Sequence, residues 1–320
     1  MAETILPDSE ALTWLFAAVE KLSDEQDADV YMYSGDIDRS SVQRFLATYE
    51  GARHRANCVL VLVTFGGDPD AAYVMARFLK RAYQRLTVLV FGPCKSAGTL
   101  AVLGATEIVM GPFGELGPLD IQLSKEDSLA SRSSGLDIFQ SLSILSRQAF
   151  TIFQQHFLGI VGGSGGVITT RTAADISTAI ATQLLQPIAA QIEPMRLGEM
   201  QRAINVAIQY GTRLGTSEEV VNRLTMDYPA HGFVIDLEEA EKLFPGQVRV
   251  PGMLELELER GLRAAFRVED NDDVLQYPPE HTVTWCLTPR DGVFQDHLMG
   301  RLTDELAFQA SAPGCGAAQA

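Results

Sequence analysis

The chain has 320 residues, and 46% of them are hydrophobic, which is enough to bury the core of one large domain or two small ones. Its net charge of −16 argues against nucleic acid as the main partner, because phosphate binding needs a basic surface. The four cysteines are widely spaced and form no Cys-x-x-Cys pair; they are Cys58, Cys94, Cys286 and Cys315. We therefore expect no zinc site and no disulfide framework, and a cytoplasmic location.

The N-terminal segment predicts an amphipathic helix within residues 1–27 rather than a signal peptide. It has no basic stretch before its apolar part, and charges interrupt the apolar residues that recur at helical spacing. No uninterrupted apolar run in the sequence is long enough to span a bilayer, so no membrane span is expected.

Strand and helix patterns alternate from residue 28 to about residue 123. The predicted strands are DVYMYSGDI, CVLVLVTF, LTVLVF and the short EIVMG. The predicted helices between them are DRSSVQRFLATYEGA, AAYVMARFLKRAY and SAGTLAVLGA. Repeated β-α units with short connections indicate parallel strands joined by right-handed crossovers, so the expected fold class is α/β.

The rest of the chain has a different character. Residues 134–224 predict a helical insert, interrupted by the glycine-rich segment GIVGGSGGVITTRTA, and DLEEAEKLF predicts one more amphipathic element. Residues 251–308 mix charged and apolar positions without a clear period, as in a small α+β extension. The last residues, 309–320, have the composition of a disordered tail.

Two of the predicted strand ends carry residues suited to chemistry, and sites in parallel α/β sheets lie at such ends. The Gly66-Gly67 turn in TFGGDPD exposes backbone N–H groups that can hold an anionic oxygen. In FGPCKSAGT, Ser96 starts the next helix, and the N–H of Ala97 is expected to point to the same spot. A serine facing such a loop has the geometry of acyl transfer. The simpler interpretation makes Ser96 a helix N-cap and the two glycines an ordinary turn.

Four segments together resemble the Clp/crotonase superfamily of serine peptidases: YMYSGDI, VLVTFGGDPDAAYVMARFLKR, VLVFGPCKSAGTLAVLGATEIVMG and FGELGPLD. The branch that they resemble most is the serine dehydrogenase proteinase family, which is related to the Clp protease proteolytic subunit and to signal-peptide peptidase A. The resemblance covers residues 28–123 and resumes at YPAHGFVIDLEEAEKLF. It implies a Clp/crotonase-like catalytic domain over residues 28–250, with the helical insert inside it.

The resemblance also implies roles for individual residues. Ser96 is the expected nucleophile, Gly67 and Ala97 the expected oxyanion-hole donors, and Gly66 the residue that shapes the loop. Losing one such donor costs about 10²–10³ in turnover.

The general base has two candidates under this resemblance. The serine dehydrogenase proteinases imply a triad of Ser96, Asp120 and His231, and such a chain order is physically allowed because a triad is defined by geometry. The signal-peptide peptidase branch uses a Ser–Lys dyad, which makes Lys125 the alternative base. Lys95 is a poor base, because neighbouring side chains on a strand point to opposite faces. A turn histidine and a turn aspartate remain the structural interpretations of His231 and Asp120.

A second serine motif is a decoy. Gly162–Gly166 reads GGSGG and fits the Gly-x-Ser-x-Gly pattern, but a nucleophile elbow needs a preceding strand, and the preceding segment predicts a helix end. His156 is expected on the polar face of that helix, and His54 is expected in solvent among arginines.

The expected function is hydrolysis of peptide bonds in extended or unfolded polypeptides. The alternatives are a non-catalytic oligomeric scaffold with the same fold and a crotonase-like enzyme acting on acyl-CoA thioesters. The resemblance implies a homo-oligomer and no metal or organic cofactor. The sequence does not say whether an ATPase or adaptor partner supplies substrate.

Overall fold

The computed structural model describes residues 9–50, 55–119, 122–124, 132–191, 194–265 and 283–287. Its helices are α1 (Ser9–Gln26), α2 (Arg39–Glu50), α3 (Pro69–Ala82), α4 (Ala97–Val102), α5 (Gly135–Gly163), α6 (Thr170–Ala189), α7 (Pro194–Leu214), α8 (Glu218–Met226), α9 (Leu237–Leu243) and α10 (Met253–Ala265). Its strands are β1 (Ala28–Ser34), β2 (Asn57–Val63), β3 (Leu86–Val90), β4 (Pro93–Cys94), β5 (Glu107–Met110), β6 (Glu115–Leu116), β7 (Gln122–Ser124), β8 (Arg132–Ser134), β9 (Val248–Arg249) and β10 (Val283–Cys286). The expected tail over residues 309–320 lies outside the described residues, as does Cys315.

The main sheet confirms the predicted α/β class. Its strand order is β10-β1-β2-β3-β5-β9, and all neighbours are parallel except β10, which runs antiparallel to β1. One register row crosses five strands through Tyr31, Leu60, Val88, Ile108 and Val248. Every residue of β1 and β3 is buried, as is typical of parallel strands covered on both faces.

Helices cover both faces of this sheet. On one face α1 and α10 supply Leu15, Leu22 and Leu258 to a single core cluster with strand residues such as Val61. On the other face the ring of Phe45 from α2 lies 5.6 Å from the ring of Tyr31. Alternate residues of each strand therefore serve two separate apolar layers.

A small second sheet lies beyond the end of β3. There β4 and β6 run parallel, with Pro93 opposite Glu115 and Cys94 opposite Leu116. The residue after β2, Thr64, forms a bridge with Cys94. This bridge brings the carboxyl end of β2 beside the segment that follows β3.

The chain divides into two compact units. The first comprises residues 1–117, 210–220 and 234–320, and includes the main sheet, α9 and α10. The second comprises residues 118–209 and 221–233 and includes the β7–β8 hairpin, α5, α6 and most of α7 and α8. The predicted helical insert is confirmed in its helical character. No helix in the described part of the chain is long and apolar enough to cross a membrane.

Candidate active site

The candidate site is built where β2 and β3 end. The N–H of Thr64 donates to the carbonyl of Pro93 over 2.8 Å, and the N–H of Lys95 donates to the carbonyl of Thr64 over 2.9 Å. These two bonds tie the Gly66-Gly67 loop to the Ser96 loop. The sequence expectation that the two strand ends lie together is correct within the first unit.

The Gly66-Gly67 turn has a conformation that side chains oppose. Both glycines have positive φ, +120° and +136°. A β-carbon on Gly67 would collide with the carbonyl oxygen of Ile37, and one on Gly66 would lie 2.9 Å from Cβ of Ser96. Only glycine fits both positions, because neither the backbone angles nor the space admits a larger residue.

Hydrogen bonds fix this turn from both sides. The N–H of Gly66 donates to Oγ1 of Thr64 over 3.0 Å, and its carbonyl accepts from the N–H of Ile37 over 2.8 Å. The N–H of Asp68 donates to the carbonyl of Ile37 over 2.7 Å. No described residue accepts a hydrogen bond from the N–H of Gly67. This arrangement leaves that N–H available to a ligand.

Ser96 has an unusual backbone conformation. Its φ is +49° and its ψ is −114°, and it is one of two non-glycine residues with positive φ in the described ranges. It occupies the N-cap position of α4, yet its side chain makes no capping hydrogen bond. The N-cap interpretation therefore does not account for this serine. Such strain persists only where the surroundings enforce it, and it clusters at functional sites.

Ala97 adds a second backbone donor beside Ser96. It is the first residue of α4, where an N–H has no partner inside the helix, and among the described residues none accepts from it. Its nitrogen would be 3.3 Å from a β-carbon placed on Gly66. The Ala97 N–H and the Gly66-Gly67 turn are therefore close neighbours around a half-buried serine.

Two side chains that precede Ser96 in the sequence, Lys95 and Cys94, are not available for catalysis. Nζ of Lys95 lies 2.6 Å from a carboxylate oxygen of Glu115 and 3.3 Å from the carbonyl of Leu116. Lys95 is 8% exposed, so this ion pair is largely removed from solvent. Cys94 is fully buried, and burial raises the pKa of its thiol, which keeps it protonated and inert.

The expected base residues fall in other parts of the chain. His231 is half-buried in the segment between α8 and α9 and belongs to the second unit, whereas Ser96 belongs to the first. Asp120 and Lys125 lie outside the described residues. The triad and the dyad therefore both stay predictions.

The remaining candidates from the sequence fit their simpler interpretations where they are described. GGSGG begins with the last two residues of α5 and continues into the turn after it, with no strand before it, which confirms that it is not a nucleophile elbow. His156 is exposed on α5. Across the described ranges no group of three histidine, cysteine or acidic side chains is arranged to hold a metal ion.

Sequence reasoning missed three residues that shape the site. Ile37 and Thr64 hold the Gly66-Gly67 turn through the bonds given above, and Glu115 fixes Lys95. The only signal for Ile37 was its place at the end of a strand beside a glycine turn. Nothing in the sequence marked Thr64 or Glu115.

Comparisons with known proteins gave distant structural likenesses only. No family model matches the chain, and no curated protein matches its sequence. It is similar to the structure of a serine-to-alanine mutant of the 1510-N membrane-bound stomatin-specific protease, with a TM-score of 0.42 and 14% identity over 82% of this chain and 94% of that one. It is also similar to a lysine-to-alanine mutant of that protease in complex with a substrate peptide, with a TM-score of 0.43 and 15% identity over 87% of this chain and 97% of the other.

Proposed function

We propose that this chain is a serine peptidase of the Clp/crotonase type, with Ser96 as the nucleophile and the N–H groups of Gly67 and Ala97 as the oxyanion hole. The observation that carries the proposal is the strained backbone of Ser96, packed against a turn that only two glycines can form. A strained strand-to-helix turn is also how α/β-hydrolases present their nucleophilic serine. The motif resemblance over residues 28–123 supports the same assignment.

The chemistry proceeds in two acyl-transfer steps. Oγ of Ser96 attacks the carbonyl carbon of the peptide bond, its proton passes to the base, and the carbonyl oxygen becomes anionic. The N–H groups of Gly67 and Ala97 donate hydrogen bonds to that oxygen. The C–N bond then breaks, the base gives its proton to the leaving amine, and an ester on Ser96 remains. In the second step water attacks the ester carbonyl and gives a proton to the base. The bond to Oγ of Ser96 then breaks, Oγ takes the proton back, and the carboxylic acid leaves.

We assign the base to His231, oriented by Asp120, with Lys125 as the alternative. The Lys95 ammonium already faces Glu115 and Leu116, which removes the basic side chain nearest to Ser96 along the chain from this role. Histidine is the side chain that most often serves as a general base in catalysis.

The surroundings of the turn favour a peptide over an acyl-CoA substrate. Phe65, directly before the two glycines, exposes 51% of its surface and offers an apolar contact for a substrate side chain. The basic side chains nearby have acidic partners: Lys95 with Glu115, and Arg39 with Asp68 and Asp70. CoA phosphates need unpaired basic groups, whereas these two described basic side chains are already paired.

A fluorophosphonate probe, which reacts with activated serines, tests the proposal. We expect the wild type to be labelled, Ser96→Ala to be unlabelled, and Ser146→Ala, a matched change at an exposed serine of α5, to be labelled normally. Hydrolysis of unfolded polypeptides should follow the same pattern, and His231→Ala should slow labelling more than Lys125→Ala.

Three results would overturn the assignment. Labelling that survives in Ser96→Ala would place the nucleophile elsewhere. An unlabelled wild type that binds CoA would favour the crotonase-like enzyme. An unlabelled wild type with neither CoA binding nor proteolysis would favour the scaffold.

A further inference from the structure

The backbone around Ser96 forms a tight turn that an ordinary side chain opposes. The N–H of Gly98 donates to the carbonyl of Lys95 over 2.8 Å, which closes a β-turn from Lys95 to Gly98. Ser96 is the second residue of this turn, and its φ of +49° and ψ of −114° are close to those of a type II′ turn. That position normally takes glycine, so the surroundings of the turn must hold a serine there.

Lys95, the first residue of the turn, is fixed by its backbone and by its side chain. Its N–H donates to the carbonyl of Thr64 over 2.9 Å. Its Nζ lies 2.6 Å from a carboxylate oxygen of Glu115 and donates to the carbonyl of Leu116 over 3.3 Å. Only 10% of the Lys95 side chain is exposed, so water competes little for these contacts. The side chain therefore ties the turn to β6.

A second contact holds the segment that contains β6 against the same turn. The N–H of Gly117 donates to Oγ1 of Thr99 over 3.0 Å, and this hydroxyl donates to the carbonyl of Cys94 over 2.9 Å. A β-carbon on Gly117 would come within 2.8 Å of Cδ of Lys95, so glycine leaves room for the lysine side chain. The segment is therefore held by Lys95 at the start of the turn and by Thr99 just after it.

The segments predicted to carry the base lie only a few residues from β6 along the chain. The backbones of Leu116 and Ile235 exchange two hydrogen bonds, at 2.9 and 3.0 Å. His231 comes four residues before Ile235 in the sequence. Asp120 comes three residues after Gly117. A displacement of β6 therefore reaches both segments through a short length of backbone.

We propose that Lys95 is a positioning residue whose ion pair with Glu115 holds the strained turn and so aims Oγ of Ser96 at the substrate carbonyl. In this role Lys95 transfers no proton and contacts no reacting atom, because it acts through the position of the turn. Such support is what keeps a reactive group within a fraction of an ångström of its productive geometry. The proposal rests on the proposed peptidase function, since it concerns the alignment of that nucleophile.

A role in stability alone predicts a different result from a role in positioning. Loss of stability slows labelling only in proportion to the fraction of unfolded protein, which a urea unfolding curve measures. A misaimed serine, in contrast, reacts slowly in molecules that are fully folded. A displacement of about 1 Å is enough to slow a reaction by about 100-fold. The labelling rate of folded protein therefore separates the two roles.

The test measures fluorophosphonate labelling of the full chain over a range of probe concentrations, which gives the probe affinity and the maximal rate. Lys95→Met keeps the length of the side chain and removes its charge. We expect this variant to lower the maximal rate by about 10- to 100-fold and to leave the probe affinity unchanged. The matched control is Lys242→Met, at an exposed lysine of α9 that pairs with Glu239, and it should label like the wild type.

Glu115→Gln tests the other half of the ion pair. We expect it to slow labelling too, and we expect the double variant with Lys95→Met to be no slower than Lys95→Met alone, because both changes break the same contact. The Glu115 side chain is 38% exposed, so this substitution carries the test if Lys95→Met does not fold.

Three results would overturn the positioning role and leave the proposed peptidase function intact. The first is a folded Lys95→Met protein that labels at the wild-type rate. The second is a double variant whose loss is the product of the two single losses, because Lys95 and Glu115 would then act separately. The third is a slow rate that the unfolded fraction fully explains. A wild type that is not labelled at Ser96 would instead overturn the proposed function and this proposal together.

Discussion

At the scale of single residues, Gly67 is the position with the least tolerance for change. Its φ of +136° and the nearby carbonyl of Ile37 exclude a β-carbon without a shift of the backbone. We expect Gly67→Ala to slow fluorophosphonate labelling by about 10²–10³, because the displaced N–H no longer faces the developing oxyanion. The labelling rate under pseudo-first-order conditions measures this effect.

The control for this variant is Gly159→Ala. A β-carbon at Gly159 meets no atom within 4 Å, and the residue lies inside α5, so alanine is expected to leave labelling unchanged. Alanine there should also stabilise the helix, by about 1 kcal/mol. A labelling rate for Gly67→Ala equal to that of the wild type would show that this N–H does not contact the reacting oxygen.

Much of the candidate site could be predicted at this scale, because its loops consist of consecutive residues with strong local signals. Gly66-Gly67 and Ser96-Ala97 each follow a run of apolar residues typical of a buried strand. The contacts that hold these loops could not be predicted, because Ile37 and Glu115 come from other segments and match no motif. The geometry of Ser96 itself depends on those contacts.

At the scale of elements, an ion cluster joins β5, β9 and α10. Arg249 contacts both carboxylate oxygens of Glu255, at 2.6 and 2.7 Å, and also binds Glu107 at 3.1 Å. Glu255 is 2% exposed and accepts a further bond from the N–H of Gly252. The short strand β9, which the sequence pattern did not predict, is held at the sheet edge by this cluster.

This cluster predicts an acid-sensitive contribution to stability. Burial raises the pKa of Glu255, but the hydrogen bonds from Arg249 and Gly252 outweigh it and lower the pKa below its ordinary value of 4.5. A carboxyl group whose pKa is lower in the folded state stabilises the fold above its unfolded pKa, and this contribution disappears as the pH falls through the folded pKa. We expect Glu255→Gln to cost about 1–3 kcal/mol at pH 7.

The measurement follows from the sign of that shift. Urea unfolding, followed by tryptophan fluorescence, measures the free energy of unfolding of both proteins. The difference in this free energy between wild type and Glu255→Gln should become smaller as the pH falls below about 4.5. Both tryptophans, Trp14 on α1 and Trp285 on β10, belong to the first unit, so the signal reports on the unit that contains the cluster. Glu218→Gln, at an exposed glutamate of α8, is the control and should show no such change. A difference in the free energy of unfolding that stays constant with pH would contradict the lowered pKa of Glu255.

At the scale of the whole molecule, the two ends of the described chain contribute to the same core. Helix α1 comes before the sheet in sequence and α10 follows almost all of it, yet both pack on one face of the main sheet. The sequence indicated that residues 1–27 are helical and that the region after residue 251 is mixed, but it could not show that they meet. Contacts between segments so far apart in the chain leave no local pattern.

The last prediction concerns this shared core. Leu258 on α10 is fully buried among Leu15 and Val19 of α1 and Val61 of β2, so truncating it leaves a cavity between three elements. We expect Leu258→Ala to lower the free energy of unfolding of the first unit by about 2–5 kcal/mol. Met253→Ala on the same helix, at a residue that is 72% exposed, should change it by less than about 0.5 kcal/mol. Urea unfolding monitored by tryptophan fluorescence measures the free energy of unfolding of each variant. An equal decrease in Leu258→Ala and Met253→Ala would mean that α10 contributes helix propensity rather than core packing.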